Sequence, residues 1–264
     1  MSFKLTRRGS SPIPLEVDGI LPERLANLSA LEVAKLPVLH GNRTEPLGEH
    51  FAVTPSTHGD LHFSGDTRNV HGIGRGMTGG RVRVEYPAGR HAGAQMSGGT
   101  LFLANGCDDW LGGEMKGGRI EVRGDAGHCV GAAYRGSRRG MTGGRIDVCG
   151  NVGHEAGLLM RRGMIVVEGD CGEFAGASMI AGTIIVNGTL GRRAGAGMKR
   201  GTLLALGGVA EVSLGFRYSC DYQPAFLRLL LKGEDLPDVR EVKCYRGDVL
   251  TGGKGELLVS DVRG

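Results

Sequence analysis

The sequence predicts an all-β fold, a parallel β-helix of about seven 19-residue coils, on three observations. Methionines stand at Met77, Met96, Met115, Met141, Met160, Met179 and Met198, 19 residues apart except for one interval of 26. Each is followed at +3 by a glycine (Gly80, Gly99, Gly118, Gly144, Gly163, Gly182, Gly201) and at +5 and +7 by apolar residues such as Val82/Val84 and Ile146/Val148. Between the later apolar pairs runs G-x-x-G-x-x-x-G, intact at Gly124/Gly127/Gly131, Gly150/Gly153/Gly157, Gly169/Gly172/Gly176 and Gly188/Gly191/Gly195. Helical repeats need roughly 33 to 45 residues to hold their helices, so 19 points to one coil per repeat. Alternation puts the +5 and +7 side chains on one face, and stacked coils about 4.8 Å apart would bury that face as aliphatic ladders.

The composition fits. Hydrophobic residues make up 40% of the 264 and aromatics 5%, which suits a narrow aliphatic interior. The 49 glycines keep register with the aliphatics, which excludes a disordered glycine-rich tail. A net charge of +4 gives no case for nucleic-acid binding. Neither a signal-peptide pattern nor an apolar run of 18 residues is present, so the expectation is a cytoplasmic protein that meets no membrane. Six cysteines (107, 129, 149, 171, 220, 244) form no C-x-x-C pair. Cys107 and Cys171 share a column with Ala88, Ala126, Val152, Leu190 and Val209, and read as packed thiols.

Three segments are expected: an N-terminal cap over 1–60, the β-helix over 61–208 and a C-terminal cap over 209–264. Residues 1–20 read as an arm leading to an edge strand at 13–17. Ser29-Ala-Leu-Glu32 matches a capping box and opens a short helix toward Lys35, ended by Pro37. Strands are expected at 38–42 and 49–53 around the turn signal Gly41-Asn42-Arg43, and the first coil at 61–64. The interval of 26 carries a seven-residue insertion near 133–139, which projects from the stack toward a partner or ligand. After the last coil, Gln223-Pro224 starts a helix over 224–232 stopped by Gly233; its leucines should dock on the last coil or on another protein. A closing strand pair is expected at 241–245 and 256–259.

Two columns could carry chemistry. Arg119 and Arg145 at Met+4, Lys116 and Lys199 at Met+1, and Arg135, Arg138 and Arg139 of the insertion outline a cationic stripe. Stacked like charges repel, so a stripe suits a bound polyanion or an acidic partner; its alternative is an ordinary solvated face flanked by Glu121, Asp147 and Glu168. His128, His154 and Glu173 share the Met+13 slot on successive coils, ligand types for a bridging metal or members of a polar corner ladder. His58 and His62 are four apart with no helix to align them. Gly252-Gly253-Lys254-Gly255 lacks the Ser/Thr and the opening glycine of a phosphate loop. No nucleophile elbow or H-E-x-x-H is present, so no catalytic residues are assigned.

The tandem G-x-x-G-x-x-x-G coils resemble both the β-helix of glutamate synthase and the C subunit of formylmethanofuran dehydrogenase. The flanks separate the two. Leu36-Pro-Val-Leu-His-Gly-Asn-Arg43 with Leu47-Gly48 and Phe51, and Cys244-Tyr-Arg-Gly-Asp248 with Gly253-Lys-Gly-Glu256, resemble the family of that C subunit. The resemblance implies a non-catalytic scaffold subunit within an enzyme complex of C1 metabolism. In the bacterial formyltransferase/hydrolase, formyl passes from a tetrahydromethanopterin carrier to methylofuran and leaves as formate. Its partners would be an amidohydrolase-like subunit, a formyltransferase subunit and one further subunit. Methylofuran, with its polyglutamate tail, would be a ligand of the complex rather than a covalent cofactor, and the tail gives the cationic stripe a candidate ligand. The alternatives are the C subunit of a tungsten or molybdenum dehydrogenase, a glutamate-synthase-like β-helix domain, or a metal-binding enzyme using His128, His154 and Glu173.

Overall fold

In a computed structural model that describes residues 2–57, 59–230 and 241–260, the repeat becomes one long sheet. The N-terminal segment contributes β1 (Ser2–Arg7), β2 (Leu15–Glu16), the helical turns α1 (Pro22–Leu25) and α2 (Ala30–Ala34), β3 (Pro37–His40), β4 (Arg43–Pro46), the turn α3 (Leu47–His50) and β5 (Phe51–Ser56). β6 (Leu61–Ser64) and β7 (Val70–His71) follow. The repeats then supply four residues each: β8 (Arg81–Val84), β9 (Thr100–Leu103), β10 (Arg119–Val122), β11 (Arg145–Val148), β12 (Met164–Val167), β13 (Thr183–Val186) and β14 (Thr202–Ala205). β15 (Arg217–Tyr222), α4 (Ala225–Leu230), β16 (Val242–Gly247), a 3-10 turn (Val249–Thr251) and β17 (Gly255–Ser260) complete the order.

β8 to β14 pair in parallel without slippage: Val82 opposes Leu101, Ile120 opposes Ile146 across the long interval, and Ile184 opposes Leu203. They lie inside a 13-stranded mixed sheet, ordered β15-β16-β17-β14-β13-β12-β11-β10-β9-β8-β6-β1-β5. A second column of single parallel bridges links Ala88, Cys107, Ala126, Val152, Cys171, Leu190 and Val209. The two cysteines of that column sit as expected among small apolar residues, and burial pushes both thiols up to about 12. The +5 and +7 side chains and all seven repeat methionines are buried in one continuous core. Each such side chain contributes about 1.5–3 kcal/mol on burial.

A repeat methionine and the glycine three residues after the next repeat's methionine belong to one packing device. Met115 sends its methyl under the next repeat, where Gly144 sits at φ 87°, and a Cβ built on Gly144 would stand 2.7 Å from Met115 Cε. Gly118 stands in the same relation to Met96, and Gly163 to Met141. The column therefore needs glycine twice over, for a left-handed backbone and for space.

The flanks differ from expectation in instructive ways. The arm expected over 1–20 holds a full strand, β1, between β6 and β5, with Phe3 and Leu5 buried. Of 13–17 only Leu15–Glu16 is a strand, in a smaller sheet ordered β4-β3-β2-β7. The strand at 38–42 ends at His40, and the turn at Gly41 folds β4 back on β3. Residues 49–53 divide between α3 and β5, because Phe51 turns into the large sheet. The capping box at Ser29 forms with both of its hydrogen bonds. α4 begins where expected, and Leu227 is buried against Leu204, Val242 and Leu258. The remainder of the helix expected to reach Lys232 lies outside the described residues. β15, unannounced by hydrophobicity, is an exposed edge strand.

Candidate functional site

Alternation along the repeat strands sends the Met+4 and Met+6 side chains to the outer face, opposite the core. There the arginine column meets an acidic one. Arg119 and Arg145 are register partners on β10 and β11. Asp147 bridges them, 3.1 Å from Arg119 Nη2 and 2.7 Å from Arg145 Nε, and Glu121 takes Arg119 Nε at 2.8 Å. Two arginines and two carboxylates thus balance, and partly exposed pairs of this kind contribute about 0–1 kcal/mol. Lys199 is held at the far end of the stack, where its Nζ donates to Thr251 O at 2.7 Å. Lys116, at the corner before β10, is exposed.

The insertion is anchored at its root. Tyr134 stacks on Trp110 with ring centroids 4.8 Å apart, and its hydroxyl lies 2.9 Å from His91 Nδ1. Its amide donates to Glu114 Oε1 at 3.3 Å, while Gln95 Nε2 donates to Glu114 Oε2 at 3.1 Å. Burial pushes the Tyr134 phenol up. Burial alone would raise the Glu114 carboxyl too, but hydrogen bonds from Ser137, Gln95 and Tyr134 more than offset it and hold the group below the usual carboxylate range. Sequence reasoning passed over this set, although Trp110 is the one tryptophan of the chain and shares a repeat slot with His91. Beyond the anchor, Arg135, Arg138 and Arg139 are exposed. The insertion thus presents three guanidinium groups on a fixed base.

His128 and His154 do come together, as parallel rings 4.9 Å apart. Their Nδ1 atoms, however, accept backbone amides of the following repeat: His154 N donates to His128 Nδ1, and Glu173 N to His154 Nδ1, each at 2.9 Å. Asp109 begins the same ladder by accepting from His128 N at 2.8 Å. A side chain reaching one repeat ahead satisfies a corner amide that no strand partner reaches. Among the described residues, the three ligand types whose atoms converge within 4.8 Å are instead His40, Glu45 and His50.

Two further histidines make stability depend on pH. Burial, then the positive charge of Arg90, lowers the His71 pKa, against weaker opposition from Asp108 and Glu16. Burial, then Arg75, lowers that of His91. His71 Nδ1 also accepts the Arg90 amide at 2.9 Å, a role closed to the protonated ring. A depressed folded pKa means that the unfolded chain takes up the proton first as pH falls. The stabilisation is therefore present above the ordinary value of 6.5 and lost below it. Urea midpoints should be level above pH 7.5 and decline below pH 6.5, with a shallower decline in His71→Gln. An equal decline in that variant would remove His71 from the account.

No family model matches the chain. The C subunit of the molybdenum-containing formylmethanofuran dehydrogenase 1 of Methanothermobacter thermautotrophicus is 37% identical over 95 residues, 35% of this chain and 24% of that protein. The corresponding protein of Methanosarcina barkeri is 40% identical over 84 residues, 30% and 28% of the two chains. These matches thus span about a quarter of the curated relatives. A chain in the X-ray crystal structure of the formyltransferase/hydrolase complex (FhcABCD) from Methylorubrum extorquens, in complex with methylofuran, is 34% identical. It superposes with a TM-score of 0.91 over 97% of this chain and 99% of that one.

Proposed function

The chain belongs to the family of the formylmethanofuran dehydrogenase C subunit, and from that premise we propose that it is the C subunit of a formyltransferase/hydrolase complex, serving as its scaffold. The observation that carries this reading is the end-to-end fit to a chain of such a complex, flanks included. A fit confined to the repeat would also suit a glutamate synthase β-helix. Flanking strands β1, β5, β6 and β15 to β17 are built into the same sheet as the repeat, and the fit covers 97% of this chain.

The scaffold role follows from what the fold is good at. In-register strands, a second bridge column and a continuous core favour a parallel β-helix, with residues 1–60 and 209–264 as its caps. A rod of that kind holds partners at fixed separation and offers little of its own for acid–base or nucleophilic work. In the complex it would stand beside an amidohydrolase-like subunit, a formyltransferase subunit and one further protein. The first two of these would carry out catalysis. The exposed arginines of the insertion would guide the polyglutamate tail of methylofuran between their sites.

The dehydrogenase relatives support a second reading, the C subunit of a molybdenum or tungsten enzyme. Gentle affinity purification from the native host, with mass spectrometry of the associated chains, decides between them. Amidohydrolase-like and formyltransferase chains without iron–sulfur proteins are expected. Iron–sulfur and molybdopterin chains would move the protein to the dehydrogenase, and a solitary chain would overturn the scaffold assignment.

A further inference from the structure

We propose that His40, Glu45 and His50 form a binding site for a single divalent transition-metal ion of the zinc class, placed where the smaller sheet meets the larger. Nothing in the functional reading above requires it. The three residues stand five apart in sequence, and no single element could bring them together at that spacing. The hairpin does so. His40 ends β3 and Glu45 lies in β4; because His40 opposes Arg43 and Val38 opposes Glu45, the two side chains are diagonal neighbours on one face. α3 then turns the chain so that His50, just before β5, arrives from the other side.

The donor atoms converge. Glu45 Oε2 lies 3.2 Å from His40 Nδ1 and 2.8 Å from His50 Nε2, and the three atoms all fall within 4.8 Å of one another. A tetrahedral ion with bonds of about 2.0–2.1 Å asks its ligands to stand about 3.4 Å apart, so a small rotation of the carboxylate opens the required space. The two imidazole rings meet edge to face with centroids 4.8 Å apart, which leaves both ring nitrogens directed at the carboxylate rather than stacked past it.

The surroundings suit ligation. His40 uses Nδ1 toward the cluster, and its Nε2 lies 3.2 Å from Ser11 Oγ, which also accepts the Ile13 amide. A ligating imidazole ordinarily donates its second N–H to such an oxygen, which fixes both ring and tautomer. All three side chains are partly buried, at 19%, 23% and 11% exposure. His50 also lines a cavity of about 250 Å³ shared with Arg7, Arg8, Ser10 and Ser11, and a water molecule would be the fourth ligand of such an ion. Two nitrogens and one carboxylate match zinc, and also ferrous iron. The competing arrangement is a proton-bridged His–Glu–His network that does no more than tie β3, β4 and α3 together.

The test uses the tag-free, full-length chain stripped with a chelator and titrated with Zn²⁺, and in parallel with Co²⁺, by calorimetry and absorption. One equivalent should bind, with a tetrahedral Co²⁺ spectrum and a zinc-dependent rise in Tm. His50→Ala and the milder Glu45→Gln should each weaken binding at least about 10-fold. Glu45→Gln retains size and hydrogen-bonding capacity, so it separates lost ligation from lost folding. Absence of binding at 100-fold excess Zn²⁺, or equal affinity in wild type and Glu45→Gln, would overturn the site. Neither result touches the scaffold assignment.

Discussion

Alanine at Gly144 should lower the stability of the chain by about 2 to 5 kcal/mol. Two costs add there. A side-chain-bearing residue held at φ 87° is strained by about 1–2 kcal/mol. Its Cβ would also stand 2.7 Å from Met115 Cε and 2.8 Å from Gly118 O, and overpacking of this kind costs about 1–3 kcal/mol. The two origins can be told apart. Met115→Ala in the same chain removes the clash with Cε but neither the strain nor the close approach to Gly118 O, so the double variant should lose less than the sum of the singles. Urea unfolding of the four proteins measures it. A loss below about 0.5 kcal/mol for Gly144→Ala, the range of an ordinary surface change, would mean that the stack shifts locally and that the Met–Gly device does not set the repeat.

Charge reversal at Arg135, Arg138 and Arg139 should raise the apparent KM for methylofuran of the assembled complex about 10-fold at low salt. This expectation rests on the proposed function. The effect should shrink at high ionic strength, because exposed charges beyond about 10 Å are screened at 0.1 M salt. Reversal at Arg119 and Arg145 should do less, since Asp147 and Glu121 already occupy those guanidinium groups. Steady-state rates at two salt concentrations read both outcomes. An unchanged KM at low salt would remove the insertion from any role toward the tail, whereas loss of an associated chain from the complex would assign it to assembly instead.

The contrast between the two arginine groups was half legible in the sequence. Register told which arginines stack and that Glu121 and Asp147, at Met+6, flank them; it did not tell which of those carboxylates each guanidinium would pair with, a fact that needs the folded outer face. The same Met+6 column held another message. It runs Arg83, Phe102, Glu121, Asp147 and then Val166, Ile185, Leu204, turning apolar on the solvent side from the fifth repeat. That change marks where Leu227 of α4 packs on the face, which β17 and β16 continue with Leu258, Cys244 and Val242. β1 alternates Phe3 and Leu5 plainly enough, but its partners are β6 and β5, more than 40 residues on, and nothing local sets such a pairing. His40, Glu45 and His50 were invisible for a related reason: a spacing of five matches neither the helical nor the strand period, and only the folded hairpin gives it meaning.

Glu23 bears on a different matter. In the repeats, the amide after each methionine donates to the methionine carbonyl one repeat back, as Ser97 N does to Met77 O at 2.8 Å. Thr78 has no repeat methionine 19 residues behind it, and Glu23 Oε1 takes its amide at 2.7 Å and its hydroxyl at 3.0 Å. At the far end Asp248 N meets Met198 O, and β16 runs antiparallel beyond β17. A unit translated by a constant step has no intrinsic length. Its leading face fits the trailing face of another molecule, and head-to-tail contacts that never close give filaments. The Glu23 carboxylate, with β5 antiparallel on β1 at one end and β16 antiparallel on β17 at the other, breaks that match at both faces, so polymerisation finds no matching register.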